Sequence, residues 1–261
     1  MSRPTVTAGH DSDPASLPDL ASSLAVDASN SPEGTVDDVT ALEQMILHPA
    51  YPCLGARSVF ARERAQVEAL DELGTPESAH HLLRLLTTFS SELAVDAGFA
   101  SLLAVFHGPQ ISTEAEFERL LWHQLGLLHE ADQQPWDPTV SHDPDDPHFA
   151  FSVAGRAYFV VGLHPQASRI ARRMPHPTLV FNVHEQFEQL RQSERYERMR
   201  DTIRRRDEQL QGNLNPMVAD HGAESEARQY SGRAVPPEWA PPGMIDFEDE
   251  RRIHAERQEL E

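Results

Sequence analysis

The sequence predicts an α+β fold: a single domain with a central, mainly antiparallel sheet covered by helices and a disordered N-terminal segment. Three observations predict it. Apolar runs of strand length lie at Leu102–Phe106, Phe149–Leu163 and Thr178–Phe181. Capped stretches with apolar residues at helical spacing lie between and around them. Residues 1–33 are rich in Ser, Asp, Pro and Ala with hardly any aromatic content, so they bury too little to offset the entropy of ordering. The connections vary too much in length to force a parallel sheet.

Taken in order, residues 1–35 form the disordered segment, 36–240 the domain and 241–261 an acidic, arginine-rich tail with little to bury. The first helix carries Leu42, Met45 and Ile46 and stops before Pro49. In YPCLGAR, residues 51–57, Pro52 and Gly55 bracket Cys53 in a turn, and helix is expected from Arg57 onward. Leu73-Gly-Thr-Pro76 ends one element and starts another, with Thr75 as N-cap and Pro76 at the first helical position. His80 and His81, adjacent on that helix, point in different directions and make a poor metal clamp. Thr113 and Glu116 form a capping-box pattern before the stripe Phe117, Leu120, Leu121, Leu125 and Leu128.

Residues 133–148 contain two prolines within His142-Asp-Pro-Asp-Asp-Pro-His148. They match no coordinating loop and are read as a solvated acidic loop. A long helix is expected from His184 to about Gln211, ended by Gly212 and Asn215-Pro216.

The 261 residues suffice for one large core. The net charge of −20 argues against nucleic acid and an anionic membrane surface as partners. All 22 basic residues are arginine, which excludes Schiff-base lysine chemistry and a P-loop. The lone Cys53 excludes an intrachain disulfide and a multi-thiolate zinc site. With neither a leader pattern nor an apolar run near membrane-spanning length, a cytoplasmic protein is expected.

Against this acidic background, residues 156–206 hold eleven arginines and five acids. Arg169, Arg172 and Arg173 have no acid nearby in sequence. Three guanidinium groups so placed, just after a buried strand, suggest an anion with two or more charges.

GLHPQASRIARR, LVFNVHEQFEQLR, RYERMRDTIRRRDEQLQGNLNPM and SEARQYSGRAVPPEW, with YPCLGAR and WDPTVSHDPDDPHFAFSVAGRAYFVVG before them, resemble the YqcI/YcgG family over roughly residues 40–240. One departure stands out: where members commonly carry Trp followed closely by Cys-Pro-Phe, this chain has Trp239-Ala-Pro-Pro-Gly243. The family is similar to heme-containing N-hydroxylases of guanidino nitrogens. The resemblance therefore implies heme b and its iron, dioxygen or peroxide as oxidant, and a small guanidino or amino-acid substrate such as arginine, in natural-product biosynthesis. A heme-carrying or gas-sensing protein without turnover is the alternative.

On that implication, His164, at the end of an apolar strand and held extended by Pro165, is the expected iron ligand. His184 is its rival or a distal catalytic group beside Glu185, and the Cys53 thiolate is a third candidate. Arg169, Arg172, Arg173 and Arg233 would pair with the two propionates, and Phe159, Phe181, Phe187 and Met217 could wall the ring. Glu226 and Asp207, with Glu185, are the acids that would bind a guanidinium. Neither a dinucleotide fingerprint nor a flavin motif is present, so an external electron donor is expected. A homodimer is compatible with all of this.

Overall fold

The computed structural model describes residues 34–93, 98–191, 195–217, 224–243 and 247. Residues 1–33 of the expected disordered segment 1–35 and most of the 241–261 tail lie outside the described residues, while Gly34 and Thr35 open the first helix instead.

Among the described residues, six α-helices and five strands form an α+β domain. They are α1 (Gly34–Leu47), α2 (Leu54–Ala61), β1 (Ala65–Glu72), α3 (Pro76–Glu92), β2 (Ser101–Gly108) and α4 (Glu114–Ala131), then β3 (Phe151–Val153), β4 (Arg156–Leu163), β5 (Thr178–Val183), α5 (His184–Arg191) and α6 (Arg195–Gln211). The sheet order is β1-β2-β5-β4-β3. Three of its four pairings are antiparallel, and β1 with β2 is parallel.

Burial explains the arrangement. Every residue of Ser101–Phe106 in β2 is buried, so this continuous apolar run is covered on both faces. Leu102, Ala104 and Phe106 meet the larger core with Leu82, Leu86, Phe117, Leu121 and Trp122. Leu103 and Val105 meet the smaller core with Leu42, Met45, Tyr51 and Phe60. Helices α3 and α4 therefore cover one face, and α1 with α2 the other.

Both expected caps form. Thr75 accepts from the Ser78 N–H and Thr113 from the Glu116 N–H, while the Glu116 carboxylate reaches back to the Ser112 N–H.

Three expectations need correction. Helix from Arg57 onward ends at Ala61, and Ala65–Glu72 is an edge strand; pairing with β2 overrides the local helix-forming tendency of its Ala, Glu and Leu residues. Phe149–Leu163 is a hairpin rather than one strand, turning at Ala154 and Gly155. Both have positive φ (53° and 69°), as a two-residue turn of matching twist requires. The expected helix His184–Gln211 is two helices, α5 and α6.

β3 pairs with only Arg156–Tyr158, which leaves the far half of β4 without a strand neighbour on that side. Residues 229–233 supply the missing partner. Gly162 N–H donates to Tyr230 O (2.7 Å), the Tyr230 hydroxyl donates to Tyr158 O, and it accepts from Phe151 N–H. Phe247, within the segment expected as a tail, is 1% exposed and packs against Trp136 and Phe151. Among the described residues no helix is long and apolar enough to cross a membrane.

Candidate functional site

A cavity of about 510 Å³ opens where the loop before β3, the β3–β4 hairpin, the start of α5 and Glu226 converge. Its wall carries four carboxylates (Asp137, Glu185, Glu188 and Glu226), Arg156, His148 and His184, with Val140, Pro147, Phe149 and Ala157 between them. Negative charge predominates.

The elements around it explain why these groups converge. His184 opens α5 directly after β5, so the helix projects His184, Glu188 and Arg191 at i, i+4 and i+7 on one face. Gln186, on another side, is buried and accepts from Ala100 N–H. Asn182 fixes the end of β5 by donating to Phe159 O and accepting from the Ser101 hydroxyl. Asp137 is already engaged, accepting from Thr139 in its own loop and from Ala157 N–H of β4.

Glu226 differs from its neighbours. It is 7% exposed; Oε1 accepts from Arg191 Nη2 at 3.0 Å, while Oε2 is buried with no hydrogen-bond partner. Arg191 is shared with Glu188, and His184 Nε2 lies 3.6 Å from the same Glu188. Burial pushes the Glu226 carboxyl up to about 7, against the opposing pull of Arg191 and aided by Glu188. Arg156 gives the wall a complementary feature: Nε donates to the Ser90 hydroxyl, Nη1 lies 3.6 Å from Glu185, and Nη1 makes no hydrogen bond. Two residues of the wall thus carry buried polar atoms without a hydrogen bond, Glu226 Oε2 as an acceptor and Arg156 Nη1 as a donor beside Glu185. A cation with N–H donors at one end and an anionic group at the other complements both.

Of the residues expected from the sequence, His184, Glu185 and Glu226 come together here. The others are placed elsewhere. His164 is fully buried and stacks on Phe117; neither ring nitrogen has a hydrogen-bond partner. Burial, with Arg172 adding to it, lowers its pKa to about 4 despite Glu114, so the ring is neutral.

The three arginines that lacked a nearby acid in sequence have partners distant in sequence or on the backbone. Arg169 pairs with Asp207 and donates to Asn213, which commits Asp207 to that pair. Arg172 donates to Gly162 O and Gln229 O. Arg173 donates to Ala167 O and Ser168 O, and Arg233 donates to the buried Glu118 (Nε, 2.9 Å).

These placements test whether heme fits. A neutral imidazole with two unpartnered nitrogens suits iron. The surroundings do not suit the macrocycle: Phe117 lies on the His164 ring, the four guanidinium groups expected for the propionates are already engaged, and the cavity beside His184 is acidic. The expected ring walls are packed against other side chains instead, Phe181 and Met217 buried and Phe159 and Phe187 half-buried. Phe181 packs edge-on to Tyr158, Phe159 edge-on to Tyr230, Phe187 against Phe99 and Phe159, and Met217 sulfur accepts from Val235 N–H. Cys53 caps α2, its sulfur accepting from Ala56 N–H, and burial raises its thiol pKa. Among the described residues no group of three or more His, Cys, Asp or Glu is arranged to hold a metal ion.

Sequence reasoning missed Asp137, Arg156, Glu188 and Arg191. The signal for the last two was present in the spacing from His184. Asp137 belongs to a loop read as solvated, and only the fold turns it inward.

The model of the YqcI/YcgG family matches residues 42–243. A curated relative, "Uncharacterized protein YqcI" of Bacillus subtilis (strain 168), is 29% identical over 162 residues, 60% of this chain and 64% of the relative. The chain therefore spans less than two thirds of that relative's length. No solved structure matches.

Proposed function

The chain belongs to the YqcI/YcgG family, and on that premise we propose that it N-hydroxylates a small guanidino or amino compound, such as arginine or an arginine analogue. The substrate occupies the cavity between Asp137 and Glu226. The observation that carries this reading is the partnerless Oε2 of Glu226, buried in an acid-rich wall. A guanidinium keeps its charge at any working pH and needs a carboxylate acceptor. Arg156 Nη1 offers the complementary donor for the carboxylate of an amino acid.

N-hydroxylation replaces one N–H by N–OH. With peroxide, one oxygen enters the substrate and the other leaves as water. With dioxygen, two electrons and two protons are needed as well, and the electrons come from an external donor in a cytoplasmic setting. Heme b is the cofactor proposed for this oxidant chemistry, with His164 favoured as ligand by its neutral, partnerless imidazole. The residues around His164 do not fit the ring as they stand, so no step is derived through it. What the chain's own residues do is bind: Glu226 and Glu188 hold the cationic end, Arg156 the anionic end, and His184 stands beside Glu188.

Purified protein incubated with arginine, a reductant or peroxide, and added heme tests the reading by mass spectrometry. A product heavier by one oxygen supports it, and Glu226→Gln should raise KM at least tenfold with the fold intact. A protein that takes up heme, shows a Soret band and yields no product from any guanidine is a heme-carrying or gas-sensing protein instead. Colourless protein with intact arginine binding would leave a small-ligand binding protein.

A further inference from the structure

The two carboxylate oxygens of Glu226 have unequal surroundings. Oε1 is held by Arg191, whose other arm is held by Glu188. Oε2 lies buried without a partner in a residue that lines the cavity. Arg191 and Glu188 face Glu226 from α5, where His184 and Glu185 share the cavity wall. Arg156 stands on β4, Asp137 and His148 on the loop before β3, and Tyr230 on the segment of Glu226 itself. Arg191 thus reaches Glu226 through Oε1 alone, and the buried Oε2 is left without a hydrogen bond.

We propose that Glu226 recognises its cationic ligand by proton exchange: the empty site holds a proton on the buried carboxyl, and an N–H of the incoming guanidinium or ammonium takes that proton's place. This rests on the cavity being the cation site. The exchange balances. A neutral carboxyl and a cation enter, an ion pair forms, and one proton passes to solvent while no other bond changes. Burial is the force that keeps the carboxyl protonated, its pKa standing near 7, and a second positive charge at hydrogen-bond distance reverses that preference. A guanidinium does not itself titrate in this range, so the released proton belongs to the protein. Selectivity follows, because a neutral ligand of the same shape gains no ion pair and releases no proton.

Isothermal titration of the full chain with agmatine tests this in buffers of different ionisation enthalpy at pH 6 and pH 8. The expected result is about one proton released per ligand at pH 6, almost none at pH 8, and an affinity about tenfold higher at pH 8. In Glu226→Gln the release should vanish and the residual affinity should not change with pH. Binding without proton release at pH 6 overturns the exchange and leaves the cavity reading intact. The same proton released by Glu226→Gln also overturns it, assigning the proton to His184 or His148. Agmatine that fails to bind at any pH overturns the cavity reading and the exchange together. Should Glu226→Gln not fold, the wild-type infrared difference spectrum decides: agmatine must remove a protonated-carboxyl band, and its persistence on saturation overturns the exchange.

Discussion

The imidazole of His164 lies against the ring of Phe117 with centroids 4.2 Å apart and planes at 24°. It holds this position without a hydrogen bond to either nitrogen, so it must stay neutral to stay folded.

Acid sensitivity follows from that. The native pKa of His164, about 4, lies below its ordinary 6.5, so between these values the unfolded chain binds the extra proton and stability falls as pH falls. Glu226 acts in the opposite sense: its native pKa, about 7, lies above the ordinary 4.5, and stability falls as pH rises from about 4.5 to 7. Each effect is at most roughly 3 kcal/mol, and they oppose each other in the shared window. Denaturant unfolding across pH 4.5–6.5 should therefore show stability rising with pH in Glu226→Gln and falling with pH in His164→Phe. Equal slopes in the two variants would refute the assignment.

Gly162 is close-packed. A Cβ there would sit 2.5 Å from Phe117 Cε1 and 2.9 Å from Leu121 Cδ1, and the same residue bonds Tyr230 O and Arg172 through its backbone. Gly162→Ala should destabilise by about 1–3 kcal/mol in denaturant unfolding. Unchanged stability would mean that α4 stands further from β4.

Glu118 is 3% exposed and accepts from Ser231 Oγ (3.0 Å) and Arg233 Nε (2.9 Å). Arg233→Ala leaves that carboxylate buried without its counter-charge. Because Arg233 is partly exposed, the loss should be about 2 kcal/mol, below the range for fully buried pairs. Adding Glu118→Gln should recover part of it. A double-mutant cycle with no coupling would assign the pair to the surface.

Arg172 ties Gly162 O to Gln229 O and so joins β4 to the segment that completes its edge. Arg172→Met should loosen that segment first. Hydrogen exchange at the Gly162 amide, which donates to Tyr230 O, should accelerate more than tenfold while amides in β2 stay protected.

The sequence by itself determined the α+β class, the caps at Thr75 and Thr113 and the family, because each is written in local spacing or a contiguous motif, while the strand order was not. It also marked His184, Glu185 and Glu226 as residues to watch. Only the tertiary structure decided that these three share a cavity while His164, Arg169 and Asp207 do not. A guanidinium with no acid nearby in sequence looks available for a ligand, yet Arg169 finds Asp207 and Arg172 finds carbonyls on two separate segments. Hydrogen-bond satisfaction is a property of space, and for a charged group the partner is set by the fold that surrounds it rather than by its neighbours along the chain.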